Sequence, residues 1–138
     1  MKKLIIGMLV ILVVVLAACG GSNDADSPVG TTWKWQEFQD MAGVNDMTIP
    51  NPDSYTLTLN EDGTASIQAD CNQLTWTYEL DGSSLKFNTE GPSTLAFCGE
   101  ESLDTQYLDW LGRTATFVMG DGQLFLNLVA DSGNMVFE

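Results

Sequence analysis

Histidine is absent from the 138 residues, so neither a Ser-His-Asp nor a Cys-His nucleophilic centre can form, and the commonest transition-metal ligand is missing. Positive charge is almost as scarce, with 5 Lys and Arg against 19 Asp and Glu. So acidic a surface repels phosphate backbones, which argues against nucleic acid as a partner. Its ordinary role is solubility rather than cation capture. The Asp-Gly and Asn-rich turns lack the Asp-x-Asp-x-Asp-Gly spacing and distant glutamate of a calcium loop. No metal, cofactor or catalytic residue is therefore expected.

Long apolar runs are limited to one. Lys2 and Lys3 precede Leu4 to Leu16, broken only by Gly7, which is the charged and hydrophobic pattern of a secretory signal. The run is too short for a comfortable permanent span, which needs about 20 residues. It ends in Leu16-Ala17-Ala18-Cys19-Gly20, where small residues admit a peptidase and a thiol is placed to accept diacylglycerol. This segment resembles the lipobox of bacterial lipoproteins. Residues 1–18 are thus expected to be cleaved and Cys19 to carry lipid, palmitate or a related chain, tethering the protein to a membrane. A one-span anchor with an incidental cysteine is the competing reading. Residues 19–30, with Val29 as the one large apolar side chain, read as a flexible tether, and residues 31–138 as one domain. From Cys19 onward the bases are Lys34, Lys86 and Arg113 against 19 acids, a side-chain balance of 3 minus 19, or -16.

Cysteine is sparse as well, at 3. With Cys19 taken by lipid, Cys71 and Cys98 form an even pair in an oxidising compartment, and a disulfide between them is expected. Two free redox thiols are the alternative, but neither a Cys-x-x-Cys spacing nor a flanking base supports them.

The remaining chain alternates apolar and polar residues between Asp-Gly and Asn-rich turns, the pattern of antiparallel strands with one buried face. Strands are expected at 33–38, 55–59, 64–69, 74–80, 85–87, 114–119, 124–129 and 135–137. Leu74, Trp76, Tyr78 and Leu80 share one face of the clearest of them. Gly91-Pro92 ends the fifth, because proline cannot donate to a ladder. Leu103, Tyr107, Trp110 and Leu111 fall instead at i, i+4, i+7 and i+8, the stripe of a short helix with Ser102 as N-cap, Asp104 in its first turn and Gly112 at its end. The fold class that follows is mainly β: a small, strongly curved antiparallel sheet or partial barrel of about eight strands with one short α-helix. Residues 41–52 fit neither period, carry Pro50 and Pro52, and read as a long loop.

Asp70-Cys71-Asn72 and Ser93-Thr94-Leu95-Ala96-Phe97-Cys98 resemble motifs of the META domain, the family of HslJ-like envelope lipoproteins. An opening Trp33, the helix leading to Leu111, Gly122-Gln123-Leu124-Phe125-Leu126 and a final Phe137 follow the same order. The resemblance covers about residues 30–138. Asp70 stands where the family usually has glycine, and Ala96-Phe97 where it has Met-Ala. The resemblance implies a curved β fold with one helix and an envelope role linked in some relatives to heat shock and antibiotic tolerance. It marks Asn72 and Thr94 as family-motif residues and supplies no catalytic group.

Paired carboxylates at Glu61-Asp62 and Glu100-Glu101 read as turn and helix-start residues before they read as acid/base pairs. Asn72 reads as satisfying local backbone groups. Trp33, Trp35, Trp76 and Trp110 read as core rather than a sugar or lipid platform, with Trp35 the hardest to place. The function expected is a lipid-anchored, monomeric, non-enzymatic binding or scaffold module of the cell envelope, facing periplasm or medium, with an unidentified envelope partner. The alternative is a carrier of a small apolar ligand or lipid in the mouth of the curved sheet. An enzyme working with carboxylates alone comes third.

Overall fold

The computed structural model describes residues 27–138, so the export signal, Cys19 and its lipidation, and residues 19–26 of the expected tether lie outside the described residues. Alternation of apolar and polar side chains lays down nine strands: β1 (Thr32–Gln39), β2 (Met47–Thr48), β3 (Tyr55–Leu59), β4 (Thr64–Ala69), β5 (Asn72–Asp81), β6 (Ser84–Asn88), β7 (Thr114–Gly120), β8 (Gln123–Leu128) and β9 (Asn134–Phe137). They pair in the order β2-β1-β3-β4-β5-β6-β7-β8-β9, and β1 also pairs with β9. That last pairing closes eight antiparallel strands into a barrel, with β2 as an extra strand. A closed sheet leaves no continuous edge to aggregate.

The stretch 41–52 is not one uninterrupted loop. Met47 and Thr48 pair with Phe38 and Glu37, Ile49 is buried, and Pro52–Ser54 forms a 3-10 turn that leads into β3. A two-residue strand is too short to show a period, and this is why alternation did not reveal it.

Trp33, Trp35 and Phe38 all point inward although their spacing breaks parity, because the β1–β9 register shifts between Trp35 and Glu37. A bulge inserts one residue and moves the following side chain to the other face. Trp35, the residue hardest to place from sequence, is fully buried. Trp33 and Trp76 are buried with it, as core packing requires. In β5 the expected face holds only in part: Leu74 and Trp76 are buried, but Leu80 is exposed. From Glu79 to Asp81 this strand pairs with β6 alone, and the tip of the hairpin is joined to β7 through Ser84 opposite Thr116 and the Phe117 N–H donating to the Ser83 carbonyl.

The helix α1 spans Asp104–Gly112 and buries Tyr107 and Leu111. Tyr107 stacks on Trp35 with ring centroids 5.1 Å apart, and Trp110 stacks on Phe38 at 3.8 Å. Aromatic contacts of this kind add to the stabilisation from burial. Complete burial also pushes the Tyr107 phenol well above its ordinary pKa. Ser102 is not the N-cap: that position is Leu103, which makes no side-chain cap bond. Instead the Leu103 N–H donates to the Tyr55 hydroxyl at 2.9 Å, and Ser102 Oγ accepts from the Asp104 N–H at 3.3 Å. A tertiary partner on β3 has taken the place of a local cap.

Three residues of the expected tether already belong to the fold, Pro28, Gly30 and Val29, the last bridging Leu59. Pro28 is fully buried, its carbonyl accepts from Trp33 Nε1 at 2.8 Å, and the Gly30 N–H donates to the Leu59 carbonyl at 2.8 Å.

Candidate functional site

Between β6 and α1 the chain runs from Thr89 to Leu103, and in its middle it continues along the edge of β5 that β6 has left. Gly91 makes this possible: a Cβ there would lie 2.0 Å from the Thr75 carbonyl oxygen, so no other residue fits. The Thr75 N–H then donates to the Pro92 carbonyl at 3.0 Å, Leu74 bridges Ser93, and the Thr94 N–H donates to the Gln73 carbonyl at 3.0 Å. The regular strand β6 has already ended at Asn88, ahead of the Gly91-Pro92 expected to end it, and the Pro92 carbonyl still accepts.

Asn72, the first residue of β5, is 4% exposed, and its amide is consumed by this segment. Oδ1 accepts from the Ala96 N–H at 2.8 Å and from Thr94 Oγ1 at 3.0 Å. Nδ2 donates to the Ala96 carbonyl at 2.9 Å, with Cys98 Sγ and Asp104 Oδ2 each 3.3 Å away. The amide thereby does for Ala96 what a neighbouring strand's peptide group would do. Thr94 Oγ1 also accepts from the Gln73 N–H at 2.9 Å. The two family-motif residues expected from sequence, Asn72 and Thr94, are thus in direct contact.

Cys71 and Cys98 are joined in a disulfide with a Cα–Cα distance of 5.6 Å, and the Cys71 N–H donates to Cys98 Sγ at 3.2 Å. Asp70, just before it, adopts φ +56°, a left-handed conformation that glycine takes most readily and aspartate tolerates better than most residues. The departure from the family's glycine is therefore conservative of backbone shape.

Clamping of Ala96 turns its neighbours outward. Leu95 is 89% exposed and Phe97 83%, and among the described residues no hydrogen bond involves the backbone N–H or C=O of either. In the sequence both stand as parts of a motif, and nothing in their neighbourhood signals this exposure. Beside them are a cleft of about 460 Å³ reaching Glu100 and Asp104 and another of about 570 Å³ bordered by Met47, Tyr55, Asp70, Glu100, Glu101 and Leu103.

The two carboxylate pairs are far apart in role. Asp62 sits in the β3–β4 turn, where the Thr64 hydroxyl at 2.6 Å and N–H at 3.0 Å hold its pKa below the ordinary carboxylate range. Glu100 and Glu101 border the disulfide loop and the clefts beside it. Among the described residues no three His, Cys, Asp or Glu side chains gather into a metal-holding group. What this arrangement does chemically is hold a loop: the Asn72 amide and the Thr94 hydroxyl engage backbone groups of the loop and of β5.

Comparison with known proteins places these features in a family. The model of the META domain matches residues 27–138, which includes both halves of the braced loop. Two solved structures share the fold: a protein from Burkholderia xenovorans, at 23% identity and TM-score 0.64 over 80% of this chain and 82% of that one, and a DUF4847 family protein from Bacteroides vulgatus, at 16% identity and TM-score 0.57 over 80% and 92%. No curated protein matches the chain.

Proposed function

The chain belongs to the META domain family, and on that premise we propose that it is a non-catalytic binding or scaffold module, lipid-anchored through Cys19 in the cell envelope, with a role in stress or antibiotic tolerance. The observation that supports this most directly is the engagement of Asn72. Its carboxamide is committed to Ala96, Thr94, Cys98 and Asp104, so the family motif builds a fixed display loop and the Asn72 amide is not left free for a substrate. A reactive site needs a nucleophile or base within reach of an open position.

A carrier of an apolar ligand in the barrel mouth is less well supported. Tyr107 and Leu111 of α1 are fully buried with Trp35 and Phe137, and they fill the place such a ligand would occupy.

Three experiments bear on the proposal. Metabolic labelling with a fatty acid is expected to mark the exported protein and to vanish in Cys19→Ser; an unlabelled product in the soluble cell interior removes the envelope reading. Cross-linking in the native envelope is expected to trap a macromolecular partner. Turnover of a defined substrate by the purified protein, lost on one substitution, would overturn the non-catalytic assignment.

A further inference from the structure

Leu95 and Phe97 are unusual on so acidic a surface: both are almost wholly exposed, both are held rather than free, and both leave their backbone groups unpaired. We propose that residues 93–98 are a strand-addition edge that docks an extended segment of another protein carrying apolar and basic side chains. The inference rests on the binding-module reading above and specifies its surface.

An extended strip with unpaired N–H and C=O groups is a template for one more strand. On the inner side, Thr94 and Ala96 are fixed to β5 by Gln73 and Asn72, so the strip is preorganised and an incoming strand meets little ordering cost. The disulfide at Cys98 and the Gly91 contact with Thr75 fix its two ends. Phe97, an aromatic of the type enriched at docking surfaces, and Leu95 beside it provide apolar anchors.

Charge identifies the partner. Glu100 and Asp104 border the same cleft as Leu95 and Phe97, and Glu101 and Asp70 border the next, so the apolar pair is rimmed by carboxylates and favours lysine or arginine opposite. A second copy of this chain supplies that complement poorly: of the three bases in the described residues, Lys34 is paired with Asp53 and Arg113 with Asp109, which leaves Lys86 alone, opposite Glu79 on β5. A bilayer fits poorly too. β3 runs from Tyr55, beside the braced loop, to Leu59, where Val29 bridges, so the chain leading from the amino terminus enters at the barrel end opposite Leu95 and Phe97.

The full chain, purified as its host processes it, would be titrated with three short peptides: alternating valine and lysine, alternating valine and glutamate, and the lysine peptide N-methylated at every residue, which blocks both edges. The lysine peptide is expected to bind, to weaken roughly tenfold or more in Leu95→Ser/Phe97→Ser, and to weaken in Glu100→Gln/Glu101→Gln with a flatter salt dependence. Neither the glutamate nor the N-methylated peptide is expected to compete. Every substituted side chain is exposed, and an unchanged thermal midpoint shows that folding is intact. Equal binding by Leu95→Ser/Phe97→Ser overturns the surface while leaving a binding module elsewhere on the domain. Equal binding by the N-methylated peptide overturns strand addition. Self-association, or zwitterionic-vesicle binding, lost in Leu95→Ser/Phe97→Ser replaces the proposed partner with a second copy or a membrane. Substrate turnover, by contrast, sinks the underlying reading.

Discussion

Two kinds of connection hold this barrel together, and they are stabilised in opposite ways. The β3–β4 and β5–β6 hairpins close in a few residues with their own chemistry: Gly63 and Gly82 take positive φ, and Asp62 accepts from Thr64 inside the turn. The connection from Thr89 to Leu103 instead depends on groups far away in sequence, with Asn72 reaching Ala96 across 24 residues, Tyr55 reaching Leu103 across 48, and a disulfide across 27. Local turns mostly set register, whereas the long connection is a structure of its own, braced from three sides.

The sharpest way to test the contrast is to remove the braces one at a time. Replacing both disulfide cysteines, Cys71→Ala/Cys98→Ala, is expected to cost roughly 3.5 kcal/mol in the chain-entropy model, read as a lower denaturation midpoint in urea. Gly91→Ala should cost about 3 kcal/mol, near the upper end for overpacking, because backbone and not a flexible side chain stands in the way. Asn72→Ala should cost about 2 kcal/mol from lost buried hydrogen bonds; hydrogen exchange is expected to show the Ala96 amide losing protection while β3 and β4 keep theirs. On the hairpin side, Gly82→Ala has open space around its Cβ, so only the left-handed conformation resists it, at about 1 kcal/mol. A larger penalty at Gly82 than at Gly91 would erase the distinction. Smallest of all, Asp70→Gly should raise stability by roughly 0.5 kcal/mol, since glycine meets φ +56° without a Cβ. A loss there would mean that the Asp70 carboxylate near Tyr55 Oη, 3.5 Å away, matters more than backbone strain.

Much of the architecture was legible in advance because strand alternation and Asp-Gly turns are local signals. Eight of the nine strands and the helix lie where period and turn chemistry put them. What escaped was non-local or too short to have a period. Met47–Thr48 is recognisable only by its partner Glu37–Phe38. The shift after Trp35 depends on β9. Leu103 at the helix start is satisfied by Tyr55, not by Ser102 as a cap. At the candidate site, Cys71 with Cys98 and Asn72 with Thr94 were identified as residues that matter, but nothing in their sequence neighbourhood revealed that the amide would clamp Ala96 and turn Leu95 and Phe97 out to solvent.

The amino-acid sequence by itself determined the barrel strands, the tight turns and the amphipathic helix, because hydrophobic periodicity and left-handed glycines act within a few residues. It also determined, by containing no histidine, that no nucleophilic centre built on imidazole can form in it. Closure of the sheet by β1 on β9, burial of Trp35 beneath Tyr107, and the shape of the braced loop were decided only in three dimensions. Each depends on groups that meet only after the chain has folded back, where one buried amide can satisfy backbone that sequence alone leaves unassigned.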